Sequence, residues 1–256
     1  MILTDTHTHL YAEQFDEDRD LVIENCLNKE IKRLFLPNID KDSVKGMMQL
    51  AIKYPKNCFP MIGIHPCSVN EKWEEELEEY KTLAQNNSFY AIGEIGIDLF
   101  WDKTTLPIQQ AAFEAQIKWA KEMNLPIVIH ARDAFEEIFS VLEKHNDNKL
   151  RGIFHCFTGN LNQAKTILNY GGFKLGIGGV VTFKNSGLDK IVKEIPLKEL
   201  VLETDSPYLA PHPNRGKRNE STYLKIIAQK IAEIHETTLE EVAQITTQNS
   251  KEVFGI

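Results

Sequence analysis

A chain of 256 residues with 42% hydrophobic and 26% charged residues has ordinary globular composition and length enough for one large core. Its net charge of −8 at neutral pH excludes a protein that coats nucleic acid by general electrostatics. It does not exclude an enzyme acting on nucleic acid, because bound divalent cations and a few arginines supply positive charge locally.

The N-terminal segment places Asp5, His7 and His9 where a signal peptide needs its apolar core. No apolar stretch approaches the ~18 residues of a membrane span, and Cys26, Cys58, Cys67 and Cys156 form no C-x-x-C pair. A cytoplasmic protein with reduced thiols and no membrane contact is expected.

In chain order, short apolar runs alternate with helical patterns. Residues 2–9 form the first strand candidate and end in His7 and His9, and 33–39 and 59–65 follow, the latter ending in His65. An acidic helix over 72–85 is anchored by Trp73, Leu77 and Tyr80. The strand at 89–95 carries Glu94. A helix over 108–123 begins after Pro107 and aligns Phe113, Ile117 and Ala120. The strand at 126–131 carries His130. In the helix over 133–145, Phe135, Ile138, Phe139 and Leu142 share a face, and Asp133 with Glu136 predicts a capping box. Strands at 152–157, 173–179 and 200–205 follow, the first carrying His155 and the last ending in Asp205, before two tail helices at about 220–234 and 238–253. Apolar runs of this kind read as buried parallel strands. Their eightfold alternation with helices predicts an α/β protein, a (β/α)8 TIM barrel forming a single domain over 1–256. An open doubly wound sheet is the alternative, but no G-x-G-x-x-G follows the first strand.

The C-terminal tips of parallel strands collect on one face, so His7, His9, Glu94, His130, His155 and Asp205 are expected to meet there. Imidazoles mixed with carboxylates predict a metal site, and one large enough for two cations. Residues two apart on a strand share a face, which pairs His7 with His9 and His130 with Arg132. Asp5 shares the parity of His7 and His9, so it either orients a ligating imidazole or hydrogen-bonds backbone at the barrel floor. Cys156, of opposite parity to His155, is expected against the helix layer. Glu94 is costly to bury unpaired and suits a bridge between two metals, with a salt bridge to Arg132 as the competing role. Asp205 can bind a metal and accept a proton from attacking water, with Glu203 supporting it from below. The Arg132 guanidinium suits a bidentate phosphate contact. Arg215 and Arg218, in the basic loop beyond the last strand, are further candidates for phosphate binding. Phe100 and Trp101 either stack on an exposed base or pack under their loop.

Five motifs in register, Asp5-x-His7-x-His9, Gly93-Glu94-Ile95-Gly96-x-Asp98, Pro126-Ile127-Val128-Ile129-His130-x-Arg132, His155-Cys156-Phe157-x-Gly159 and Glu203-Thr204-Asp205-x-Pro207, span the chain and resemble the TatD family of metal-dependent hydrolases. The resemblance implies a TIM-barrel deoxyribonuclease with two divalent cations per chain. His7, His9 and Asp205 would hold one, His130 and His155 the other, and Glu94 would bridge them. His65 and Arg132 would lie near the substrate phosphate. The chain departs from the family pattern at Tyr11, where Asp or Asn is frequent, at Cys67, and at Leu99-Phe100 in place of Tyr-Tyr. These positions bear on substrate preference rather than on the ligands. The expected activity is phosphodiester hydrolysis at DNA ends, with Asp205 and Glu94 as catalytic groups. The alternatives are a binuclear hydrolase of another ester or amide, aminoacyl-tRNA included, and a silent binding barrel. The ligand types suit Zn, Mn, Fe or Ni, with Mg also compatible. Oligomeric state is left open, a monomer being compatible with the sequence.

Overall fold

The computed structural model describes all residues, 1–256. Eight strands run parallel to their neighbours: β1 Leu3–Asp5, β2 Ile31–Pro37, β3 Cys58–Met61, β4 Ile92–Asp98, β5 Ile127–Arg132, β6 Gly152–Phe154, β7 Phe173–Ile177 and β8 Leu200–Leu202. Ladders join β1-β2-β3 and β4 through β8. A few backbone hydrogen bonds stitch each of the two seams, among them Gly93 N to Ile62 O at 2.9 Å and Ile62 N to Ala91 O at 3.1 Å, and Thr6 N to Leu202 O at 3.0 Å and Asp205 N to His7 O at 2.9 Å. The result is the expected barrel. The helices are α1 Arg19–Asn28, α2 Lys41–Lys53, α3 Trp73–Asn86, α4 Leu106–Met123, α5 Phe135–His145, α6 Leu161–Asn169, α7 Leu188–Lys193, α8 Leu224–Ile234 and α9 Leu239–Phe254. None is long and apolar enough to cross a membrane.

Strand alternation divides the apolar residues into two layers. Leu34, Leu36, Ile127, Ile129, Leu200 and Leu202 join helix residues such as Ile117, Ile138 and Ile227 in a large outer core. Residues of the other parity, among them Phe35, Val128, Ile153 and Val201, fill the barrel interior together with Phe254 of α9. Two positions above these interior residues stand His130, His155 and Glu203.

Three local expectations differ from the structure. Several strands stop short, so His7, His9, His155 and Asp205 lie on the turns just beyond β1, β6 and β8 rather than inside strands. The predicted cap at Asp133 is absent: its backbone is left-handed (φ 54), and α5 starts after Ala134 without a side-chain cap. Cys156 is also left-handed (φ 44) and its N–H donates to Glu203, so the alternation fails there. Its thiol lies near the acidic mouth instead of the helix layer, where burial and then Asp205 and Glu203 push its pKa well up.

Candidate metal centre

The structure brings the six expected ligands together at the C-terminal mouth. His7 Nε2 lies 3.3 Å from His9 Nε2, 3.2 Å from Glu94 Oε2 and 3.7 Å from Asp205 Oδ1. His9 Nε2 is 3.4 Å from Asp205 Oδ1. On the other side of the same carboxylate, Glu94 Oε1 is 2.7 Å from His155 Nε2 and 2.8 Å from His130 Nδ1. A cation ringed by donors at about 2.1 Å holds neighbouring donors roughly 3.0–3.4 Å apart. The first cluster is close to that spacing, the second is drawn tighter, with direct Glu94–imidazole contacts at 2.7 and 2.8 Å, and the two share Glu94. All six side chains are at least four-fifths buried, and neutral imidazole and carboxylate are a sound donor set for a divalent cation.

The residues behind the ligands fix their orientation. Tyr11 Oη donates to Pro37 O at 2.5 Å and lies 2.7 Å from His9 Nδ1. A carbonyl only accepts, so the tyrosine proton goes to Pro37 and the His9 Nδ1–H donates to Tyr11. This leaves the His9 Nε2 lone pair facing the centre. On the opposite side His130 Nε2 meets Asp98 Oδ2 at 2.8 Å, which turns Nδ1 toward Glu94. Glu203 Oε1 is 3.6 Å from His155 Nδ1, beyond hydrogen-bond range but close enough to act through its charge. A side chain at Gly176 would collide with the Glu203 carboxylate, so only glycine leaves room for it. Asp5 contacts no imidazole. Its carboxylate accepts from Thr204 N at 2.9 Å, Thr204 Oγ1 at 2.7 Å and His7 N at 3.4 Å, bracing β1 against β8. Burial pushes its pKa up to about 7 despite these bonds.

Electrostatics at the mouth are strongly coupled. Burial opposes charge on Glu94, but His155, His65 and His7 overcome it and hold the carboxyl well below its usual range. Burial likewise opposes protonation of His155, yet Glu94 and Glu203 raise it well above its ordinary value. His130 is raised against burial by Asp98 and Glu94. His7 moves down, driven by burial and by the charge of His155. Without metal, the neighbouring carboxylates favour the protonated forms of His130 and His155.

The expected substrate contacts separate. His65 Nε2 is 3.4 Å from both Glu94 Oε1 and His130 Nδ1, inside the second donor cluster. Arg132 forms no ion pair with Glu94; its guanidinium lies over the Phe100 ring, 3.8 Å from the centroid. Arg215 is exposed and lies over Phe183 at 4.0 Å. Arg218 is engaged in a fork with Asp18, at 2.8 and 2.6 Å, and donates to Gln14 O at 2.7 Å, fastening its loop to the segment before α1. Sequence reasoning missed Asp98 and Tyr11 as ligand supports, although Asp98 stands on the Glu94 face of β4 and Tyr11 continues the His7, His9 spacing. It also missed Asn219, whose amide donates to Thr204 O at 2.7 Å and Tyr208 O at 2.6 Å, tying the loop after β8 to the site.

Comparison with known proteins agrees with this geometry. The family described as TatD related DNase matches residues 4–255. The chain is 43% identical over 256 residues to an uncharacterized metal-dependent hydrolase, YabD, of Bacillus subtilis (strain 168), covering 100% of each. It is 33% identical over 259 residues to the 3'-5' ssDNA/RNA exonuclease TatD of Yersinia pseudotuberculosis, covering 98% of this chain and 99% of that one. The crystal structure of YJJV, a TatD homolog from Escherichia coli K12, superimposes with a TM-score of 0.93 at 26% identity, over 99% of this chain and 98% of the other. With motifs, barrel and donor clusters in agreement over the whole length, the chain belongs to the TatD family of metal-dependent hydrolases.

Proposed function

We propose that this enzyme hydrolyses phosphodiesters at the ends of unpaired DNA strands, using two divalent cations. The observation that carries the reading is the position of Glu94. Its Oε2 faces His7 at 3.2 Å while its Oε1 faces His155 at 2.7 Å, so one carboxylate serves two donor clusters. His7, His9 and Asp205 would complete the first site, and His130 and His155 the second, with His65 in reach of it. Cations bound there would supply Lewis acidity to the phosphate and to an attacking water.

The chain's own groups divide the remaining work. The Asp205 side chain is 13% exposed, so water reaches it. Burial opposes its ionisation, but His9, His155 and His7 beside it hold its pKa below the usual carboxylate range, so Asp205 is ionised and can accept a proton. Arg132 and Arg215 offer guanidinium donors to flanking phosphates, whereas Arg218 contributes by fixing the loop. Relatives named 3'-5' ssDNA/RNA exonuclease support an unpaired strand digested from its 3′ end.

The test is nucleotide release from end-labelled single- and double-stranded DNA across Mg, Mn, Zn, Fe and Ni. Metal-stimulated release from the single strand is expected. Hydrolysis of carboxyl esters or aminoacyl-tRNA without any release from DNA would replace this reading with ester hydrolysis on the same centre.

A further inference from the structure

The turn after β4 leaves two aromatic side chains in solvent: Phe100 is 51% exposed and Trp101 72%. They meet edge to face, with centroids 4.9 Å apart and planes at 89°. Arg132, at the end of β5, lays its guanidinium over Phe100 at 3.8 Å and stands 5.5 Å from the Trp101 centroid. Its side chain makes no ion pair or hydrogen bond within the chain, so the face of the cation is held by the ring and its N–H edge is free.

This cluster is joined to the metal centre by one carboxylate. Asp98 accepts the Phe100 N–H at 3.0 Å on Oδ1 and meets His130 Nε2 at 2.8 Å on Oδ2. Asp98 and Arg132 are also register partners across β4 and β5. The aromatic turn is therefore fixed relative to a candidate ligand. Two contiguous exposed rings beside a free cation at a charged mouth are unlike the isolated exposed Leu21 and Ile52 on the helices.

We propose that Phe100, Trp101 and Arg132 form a nucleotide subsite in which Trp101 stacks on an unpaired base and the Arg132 edge holds that strand's phosphate. The subsite rests on the nuclease reading above and adds to it a base-stacking platform that accepts an unpaired strand of any sequence. Every base offers a π-face, so stacking is tolerant of sequence. Bases inside a duplex have both faces covered, which disfavours paired ends. The planar guanidinium fork matches two phosphate oxygens. A small phosphate or carboxyl ester supplies no base to the platform.

The experiment compares an end-labelled single strand with the same strand carrying abasic residues at its 3′ end, using metal-loaded enzyme. Wild-type kcat/KM should fall about 5- to 150-fold on the abasic strand, the range that one base–aromatic stack supplies. Trp101→Ala should lose a similar factor on the intact strand and become indifferent to base removal, and Trp101→Phe should recover most of it. As a reading independent of turnover, a phosphorothioate-terminated strand should quench tryptophan fluorescence in the wild type but not in Trp101→Ala, where Trp73 and Trp119 remain. Equal wild-type rates on intact and abasic strands would overturn the subsite while leaving the nuclease reading intact. Failure to cleave either strand with any metal would overturn the nuclease reading, and the subsite with it.

Discussion

At the floor of the barrel, Phe35 stacks on Phe59 at 5.0 Å and on Phe254 of the last helix at 3.8 Å. At the mouth, reached along the same strands, His7 and His155 stack at 3.8 Å among Glu94, Glu203 and Asp205. The floor removes apolar area from water at roughly 25 cal/mol per Å² and contributes stability directly. The mouth does the opposite: charges withdrawn from water are costly unless paired. On the proposed function, catalysis and stability occupy opposite ends of one barrel, and substitutions at the two ends should separate them.

The largest separation is expected at Glu94 and Asp205. Glu94→Gln and Asp205→Asn should each lower turnover by roughly a thousandfold or more, while circular dichroism and thermal melts show a folded barrel. Near-normal turnover in Asp205→Asn removes that residue from proton transfer. Loss of the fold in either variant would mean that the mouth is structural after all.

The reverse behaviour is expected at the floor. Phe35 is fully buried, so Phe35→Ala should destabilise the protein by about 3–5 kcal/mol, a fall of roughly 6–20 °C in melting temperature. The kcat/KM of the folded fraction, measured well below that melting point, should stay within about twofold of wild type. A large catalytic defect at low temperature would show that the two ends are coupled.

A smaller effect sharpens the account of ligand orientation. Tyr11→Phe keeps the ring but removes the acceptor for His9 Nδ1–H. Metal affinity by chelator competition should weaken about 10- to 100-fold, with little change in the metal-free melting temperature. Unchanged affinity would show that His9 is oriented by packing alone.

The smallest expected signal is a pH slope that changes sign with metal. In the metal-free protein His65, His130 and His155 have raised pKa values. The stability they contribute is complete below their unfolded value of about 6.5 and is lost as pH rises through their folded values. His7, shifted down, offsets part of this. Glu94 and Asp205 are shifted down as acids, so their contribution is present above about 4 and is lost as pH falls. Metal-free melting temperatures should therefore decline above about pH 6.5, whereas metal-loaded protein should hold or gain because cations replace the protons. Parallel slopes for both forms would mean that these histidines do not exchange protons for metal.

Residue order and parity made much of the architecture legible. The position of Val128, His130 and Arg132 on one face of β5 follows from strand periodicity, as does the burial of Ile138, Phe139 and Leu142 on α5. The failures were local. Asp133 has the residue type of a cap, but the left-handed turn leading out of β5 carries it away from the first turn of the helix. Cys156 broke alternation because the chain turns immediately after β6.

By itself, the sequence determined the barrel, the layer that most strand residues face and the six expected donors at the mouth, because these depend on periodicity along one segment. Only the tertiary structure decided that His65 enters the second donor cluster, that Asp98 and Tyr11 set the imidazoles of His130 and His9, and that Arg218 is held by Asp18. Each is a contact between separate turns or strands. Periodicity along a strand says which face a side chain occupies, but the neighbour it meets there is fixed by the register and turn geometry of other segments.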